Sequence, residues 1–218
     1  ISQREFPILS QIHPTIDEDK MHLKFHESKL SIELDAHSSI EEVKVWSSAV
    51  KARRVNPLVD AWLSQILDSQ VRLVAYDSVT DRKKLAKDID QILDLKFTDG
   101  YPIHLFSQSS FDDLSKRMSR SISTLRFRPN FILSGLSPYE EERLDTIFGR
   151  DFSLKIIKPT GRCKIPNVNP KSSESDAEIL GELAKYKRSN NSVNFGVYAY
   201  SLKPGIAYQG EELKVTYK

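Results

Sequence analysis

Polar and apolar residues alternate over two early stretches of the chain. Met21, Leu23 and Phe25 are separated by single polar residues, and Leu30, Ile32 and Leu34 repeat the pattern. Period two puts one face of an extended strand on a core and the other in water. Asp17-Glu18-Asp19 supplies a turn before the first of these runs, and Ile8, Leu9 and Ile12 form one apolar patch. Gln3 to Leu34 therefore reads as a meander of short strands. On this reading the chain opens in mid-strand, which predicts further residues upstream. Val43, Val45 and Val50 read as one more strand and its exit. Pro57 fits the first turn of a helix with Asn56 as its N-cap. Leu58, Ala61, Trp62 and Ile66 follow at spacings of three and four, the stripe of an amphipathic helix. Val71 to Tyr76 returns to strand.

Ser78 to Asp94 is charged and weakly periodic, which predicts a solvent-facing helix around Lys83 to Leu93. The boundary between an N-terminal β-rich part, residues 1–77, and the remainder, 78–218, falls here. Phe111, Leu114 and Met118 place a helix in Ser109 to Ser119, with Asp112 and Asp113 in its first turn, where they complement the dipole. Phe131 to Leu133 and Phe152 to Ile157 read as strands. Ala177 to Lys187 reads as a helix with Ile179, Leu180 and Leu183 on one face. Val193 to Tyr200 and Glu212 to Tyr217 close the chain as strands. Helices between strands with no regular βαβ repeat make this an α+β chain.

At 218 residues the chain can bury a real core. Its net charge of +2 arises from well-mixed acids and bases, so no global field calls for nucleic acid. The short basic run Lys51-Ala52-Arg53-Arg54 reads as a solvated turn. No apolar run approaches the roughly 18 residues of a membrane span. No basic segment followed by an apolar stretch starts at Ile1, so no secretory leader is expected there. Cys163 is the one cysteine, which excludes an internal disulfide framework and fits a reducing intracellular compartment. It also excludes a multi-cysteine zinc site or an iron–sulfur cluster. His13, His22, His26 and His37 lack ligand spacing, and His104, inside an apolar run, reads as a core or strand residue.

Three polar turns at strand ends are the candidates for chemistry, because rigid scaffolds display function there. They are Phe97-Thr98-Asp99-Gly100-Tyr101-Pro102, Arg126-Phe127-Arg128-Pro129-Asn130 and Lys158-Pro159-Thr160-Gly161-Arg162-Cys163-Lys164. Each has a plain structural reading. Asp99-Gly100 is a good turn dipeptide. Arg126 and Arg128 alternate about Phe127 and could be the wet face of a strand, which Pro129 would keep extended. A lone cysteine is often an inert buried thiol. Against that, Lys158, Arg162 and Lys164 favour a thiolate at Cys163, and Gly161 lets a ligand approach.

The order of these segments resembles the MOSC family, named for the C-terminal part of molybdenum-cofactor sulfurases. The resemblance is carried by Asp99-Gly100-Tyr101-Pro102 with Leu105 to Leu114, by Arg126 to Asn130, by Arg162-Cys163, by Ser137-Pro138-Tyr139-Glu140-Glu141 and by Val193 to Tyr198. Within the family the chain most resembles the mitochondrial amidoxime-reducing component branch. The likeness covers Phe97 to Lys218, and a weaker one to the family's N-terminal β-barrel module covers Ile1 to about Tyr76. The fold it implies is an N-terminal β-rich module plus a MOSC-type β-barrel with peripheral helices. The function it implies is a molybdenum-dependent oxidoreductase reducing N-hydroxylated compounds such as amidoximes.

Carried over by position, Cys163 would ligate the molybdenum of a molybdenum–pterin (molybdopterin) cofactor, and Asp99 would be a proton donor or substrate anchor. Arg128, Asn130, Arg162 and Arg126 would bind the cofactor. Pyridoxal phosphate binding comes with the family as a further term. Implied partners are a small-molecule substrate and an external electron donor such as a haem cytochrome with its flavin reductase. The compartment would be mitochondrial or cytoplasmic. The chain departs from the family pattern in three places. It lacks the Lys-Ser pair and arginines that grip the cofactor phosphate near the family's N-terminus. Pro166, Asn167, Val168, Asn169 and Pro170 stand where the family has two threonines, Val, Asp and Pro. Gly161 replaces a serine. These departures favour one alternative, a cofactor-free MOSC-fold binding or assembly protein, and the domain's name suggests another, a sulfur carrier using a persulfide on Cys163.

Overall fold

The computed structural model describes residues 1–35, 39–87 and 89–218, so His37 lies outside it. The described chain divides into two compact units: Ile1–Lys83 with Val168–Ser175, and Lys84–Asn167 with Asp176–Lys218.

In the first unit the alternating runs form an antiparallel meander of β1 (His13–Asp17), β2 (Lys20–Phe25) and β3 (Ser28–Glu33). Leu23 and Ile32 bury their side chains against Val55, Val59 and Leu63. Pro7–Gln11 is a 3-10 turn rather than a strand, so the chain does not open in mid-strand. The single strand expected around Val43 is a hairpin of β4 (Ile40–Val45) and β5 (Ser48–Arg54). Trp46-Ser47 reverses the chain without glycine, asparagine or aspartate, and Trp46 takes φ 57°. Lys51–Arg54 is accordingly strand, not a solvated turn. Ala52 is fully buried, Arg53 pairs with Asp77, and Arg54 lies 2.7 Å from Asp60. Helix α1 (Pro57–Leu67) begins as its sequence predicts, with Asn56 Oδ1 accepting from the Leu58 amide at 2.8 Å. Only Val74–Ala75 of the expected Val71–Tyr76 strand pairs, as β6 on β5.

At the start of the second unit, β7 (Lys83–Ala86, all but its first residue in this unit) and β8 (Gln91–Asp94) pair as a hairpin where a helix was expected. A helical face over this stretch would join Leu85 to Ile92, yet both are exposed, at 49% and 69%. Ala86, Leu93 and Leu95 point instead into a cluster with Tyr101, Ile157 and Tyr200.

The centre of the unit is a seven-stranded sheet that curls into a half-barrel. It is built from β9 (Ile103–Ser107), β10 (Phe131–Leu133), β11 (Leu144–Phe148), β12 (Ser153–Gly161), β13 (Arg188–Ser189), β14 (Ser192–Lys203) and β15 (Lys214–Tyr217). The order is β10-β9-β14-β12-β11-β15, with β13 on β14, and only β9 and β10 run parallel. Helix α2 (Gln108–Arg117) connects that parallel pair and α3 (Glu178–Tyr186) precedes β13. Three helices and a β-barrel-like sheet make an α+β fold, as the sequence pattern implies.

Leu105, Ile147, Leu154, Ile156 and Val197 form one core of the sheet. Phe106, Phe127 and Phe195 join Phe111 and Leu114 of α2 and Ile179 and Leu183 of α3 in a second. Helix α2 starts one residue before its expected range, capped by Ser107 Oγ accepting from the Ser110 amide at 3.1 Å. Asp112 and Asp113 therefore fall beyond the first turn, and Asp113 pairs with Arg117 and accepts from Tyr139 Oη. Fully buried Glu141 accepts from Ser110 Oγ at 2.8 Å, and burial pushes its carboxyl above the usual range.

Candidate functional site

Strand register gathers the candidate residues. Lys158 of β12 pairs with Tyr198 of β14, which pairs in turn with His104 of β9. Directly opposed residues in antiparallel strands project from the same face. The rings of Tyr198 and His104 accordingly meet edge-on at 6.3 Å. Tyr101, just upstream of β9, packs on Tyr198 at 4.8 Å, and Lys84 Nζ and Lys158 Nζ lie 4.8 and 5.3 Å from the Tyr101 ring centre.

Strand β12 does not end at Ile157, as its apolar run suggests, but continues through Gly161. Cys163 therefore stands just beyond the end of a long strand, partly exposed, rather than in an extended turn. Arg162 fixes this exit. Its amide donates to the Val193 carbonyl at 2.8 Å, and its Nη2 donates to the Phe127 carbonyl at 3.0 Å. Its Nη1 lies 3.2 Å from His104 Nε2, and the guanidinium sits 5.4 Å over the Phe127 ring. Burial lowers the Arg162 pKa, while Tyr198 and Cys163 oppose the shift and Arg128 adds to it. Burial raises the Tyr198 phenol, with Asp99 and Cys163 pushing the same way and Arg162 against. Cys163 thus lies within electrostatic range of both Arg162 and Tyr198, Arg128 within range of Arg162, and Asp99 within range of Tyr198.

The second segment takes a different shape from the one its alternation suggests. Thr124–Phe127 is a 3-10 turn and Arg128 is left-handed, at φ 51° and ψ 54°. Arg126 and Arg128 do not share a strand face. Arg126 is 5% exposed and donates through Nη1 to the carbonyls of Pro166 and Asn167 at 3.1 and 3.0 Å. It braces the loop after Cys163 from below. Arg128 is exposed. Asn130 ties the start of β10 to β9: its amide donates to the His104 carbonyl at 2.7 Å, and its Oδ1 accepts from the His104 amide at 2.9 Å. Asp99 is exposed in the turn before Tyr101.

Sequence reasoning set His104 aside, and it gave no individual role to Tyr198, Tyr101 or Thr160, although the quoted segments contain them. A histidine inside an apolar strand was the available signal. His104 is 8% exposed, and its pKa falls to about 3, first through burial and then through the Arg162 charge. Arg162 Nε and Thr160 Oγ1 are buried without a hydrogen-bond partner among the described residues, whereas the His104 ring also has backbone hydrogen bonds with Phe127 and Arg128. Buried polar atoms of a native protein are almost always paired, so the unpaired Nε of Arg162, next to Cys163 in the chain, marks a place that can receive a polar group. A cavity of about 610 Å³ elsewhere in the unit, lined by Phe148 to Arg150 and Tyr208 to Glu212, shares no residue with this cluster.

Residues 93–214 match the MOSC domain. The chain belongs to the MOSC domain family. Among curated MOSC relatives it is 26% identical over 223 residues to "Mitochondrial amidoxime reducing component 2" of Rattus norvegicus, covering 98% of this chain and 66% of that protein. It is 26% identical over 230 residues to "Mitochondrial amidoxime-reducing component 1" of Homo sapiens, covering 97% and 67%. To "Molybdenum cofactor sulfurase" of Arabidopsis thaliana it is 24% identical over 232 residues, covering 90% of this chain and 27% of that protein. The chain thus spans about two thirds of the length of the amidoxime-reducing relatives. None of these names refers to pyridoxal phosphate, and that expectation is dropped.

No helix among the described residues is long and apolar enough to cross a membrane. No group of three or more His, Cys, Asp or Glu among them could hold a metal alone. A single soft thiolate completing a pre-liganded metal, with the buried, unpaired Nε of Arg162 alongside, is a donor set that fits a molybdenum–pterin group.

Proposed function

We propose that this MOSC chain binds a molybdenum–pterin cofactor through Cys163 and reduces N-hydroxylated compounds such as amidoximes. The observation that carries the reading is the sole cysteine at the end of β12, beside Arg162 and, like Asp99, close enough to act on Tyr198. Relatives named for amidoxime reduction supply the substrate class.

In this reading the Cys163 thiolate is the protein's ligand to molybdenum. Arg128, exposed at the turn, takes the cofactor phosphate with its planar guanidinium. Arg162 contributes its unpaired Nε to the pterin. Asn130 and Arg126 act behind them: Asn130 joins β9 to β10, and Arg126 holds the Pro166–Asn167 loop. Asp99 donates a proton to the substrate or anchors it. The bound cofactor supplies the oxygen-atom transfer, and the protein orients it and shields it. Electrons come from a partner, a haem cytochrome with its flavin reductase. Residues 1–77 are the family's N-terminal β-barrel-like module and 78–218 its MOSC domain. The compartment is mitochondrial, following the relatives' names.

A sulfurase relative favours a second reading, in which Cys163 carries a persulfide. Elemental analysis of full-length protein made in a cofactor-competent host separates the two. Stoichiometric molybdenum in the wild type, falling to background in Cys163→Ser with unchanged circular dichroism, is the expected result. Background metal in both would overturn the oxidoreductase reading. A persulfide-specific label on Cys163 would then support the sulfur carrier, and its absence a cofactor-free binding protein.

A further inference from the structure

We propose that His104 is a positioning residue: the lone pair on its Nε2 holds the Arg162 side chain against the Cys163 end of β12, and it takes up a proton instead when Arg162 is drawn away. The proposal rests on the reading that Arg162 and Cys163 belong to one site.

The geometry presents one ring nitrogen with two competing neighbours. Nε2 of His104 lies 3.2 Å from Arg162 Nη1 and 3.2 Å from the Phe195 carbonyl oxygen. A guanidinium nitrogen can only donate, so its approach requires a lone pair on Nε2 and the proton on Nδ1. A carbonyl oxygen can only accept, so it requires the proton on Nε2. The two contacts exclude each other, and they correspond to the two tautomers of a neutral imidazole. Passing from one to the other removes one proton from Nδ1 and places one on Nε2, with no change of charge. A charge-assisted bond is about twice as strong as a neutral one, so the Nδ1–H form prevails while Arg162 is in place.

The surroundings are built for this ring. A Cβ on Gly196 would come within 2.7 Å of His104 Nε2 and 2.5 Å of the Leu105 carbonyl oxygen, and the residue takes φ +71°. A side chain there would displace the imidazole. The backbone of His104 is locked on both sides of its peptide by Asn130. Arg162 is held at its main chain by Val193 and at Nη2 by Phe127, so His104 supplies the third point that fixes the residue preceding the candidate ligand. An anionic ligand drawing the guanidinium away would break the His104 contact, and the freed Nε2 would turn to Phe195.

Histidine tautomers are read directly by long-range proton–nitrogen correlation in protein labelled with ¹⁵N-histidine, with no cofactor needed. His104→Gln identifies the resonance among the five histidines. Wild type should show Nδ1–H at neutral pH. Arg162→Met, which keeps length and removes every donor, should show Nε2–H. The same tautomer in both proteins, or Nε2–H in the wild type, overturns the proposal. A second arm measures pterin per chain in His104→Gln, whose amide oxygen can still accept, and in His104→Leu. Leu should reduce loading several-fold and Gln should restore it. A Leu variant that loads like a pterin-containing wild type also overturns the proposal. Wild type without pterin would defeat the proposed function, while the tautomer comparison would still decide the hydrogen bond.

Discussion

Replacing His104 by glutamine should flatten the acid limb of this protein's stability curve. In the folded chain the His104 pKa is lowered from 6.5 to about 3, by burial first and by the Arg162 charge second. A lowered histidine pKa means that the unfolded state binds the proton more readily. Stability is therefore complete above pH 6.5 and is lost as pH falls from there toward 3. Within that window one group withdraws up to about 1.4 kcal/mol per pH unit, so roughly 3 kcal/mol is gone by about pH 4.5. That is a large share of the total for a domain of ordinary stability. Glutamine does not titrate and removes this contribution whatever it costs at neutral pH. The assay is urea denaturation at several pH values, followed by far-ultraviolet circular dichroism. Tryptophan fluorescence would miss the relevant unit, because Trp46 and Trp62 both lie in the first. The expected result is a difference between wild type and His104→Gln that shrinks steadily from pH 6.5 downward. Parallel curves for the two proteins would refute the buried, neutral imidazole.

Arg126→Met should cost about 2–4 kcal/mol, since it leaves the Pro166 and Asn167 carbonyls without their charged donor; a loss under about 0.5 kcal/mol in the same urea titration would return Arg126 to the category of surface residues. Asp99→Asn should leave pterin content unchanged and slow turnover by about 10²–10⁴-fold, whereas equal turnover would reduce Asp99 to a turn former, a role asparagine fills as well. Arg128→Lys should retain less pterin than wild type and Arg128→Ala less still, read as pterin fluorescence after oxidative release. Three equal, non-zero values would remove Arg128 from the site.

What the sequence made legible is what local chemistry decides. The Asn56–Pro57 start of α1, the β2–β3 alternation and the Ile179/Leu183 face of α3 each follow from one residue type at one spacing, and each is present. The failures share a cause, which is that distant partners outvoted the local pattern. The β7–β8 hairpin forms because Ala86 and Leu93 meet Tyr101 and also Ile157 and Tyr200, residues far along the chain. Of the site, the Arg162-Cys163 pair was visible as a cationic turn. His104 was not, because its role depends on Arg162 arriving from 58 residues away.

Arg128 is the most instructive departure. The residue before a proline is pushed toward extended backbone, yet Arg128 is left-handed. On one side the chain buries Arg126 and Phe127, at 5% and 1% exposure. On the other, two residues later, Asn130 must reach both the amide and the carbonyl of His104. Only a sharp reversal joins those fixed points. A left-handed non-glycine residue costs of order 1–3 kcal/mol, and such strain gathers at functional sites. Glycine would occupy the same backbone without that cost. The position carries instead an exposed guanidinium, whose charge acts on Arg162 beside Cys163. The side chain is what the strained turn displays, and that makes Arg128 a stronger candidate for ligand contact than the alternation of Arg126 and Arg128 does.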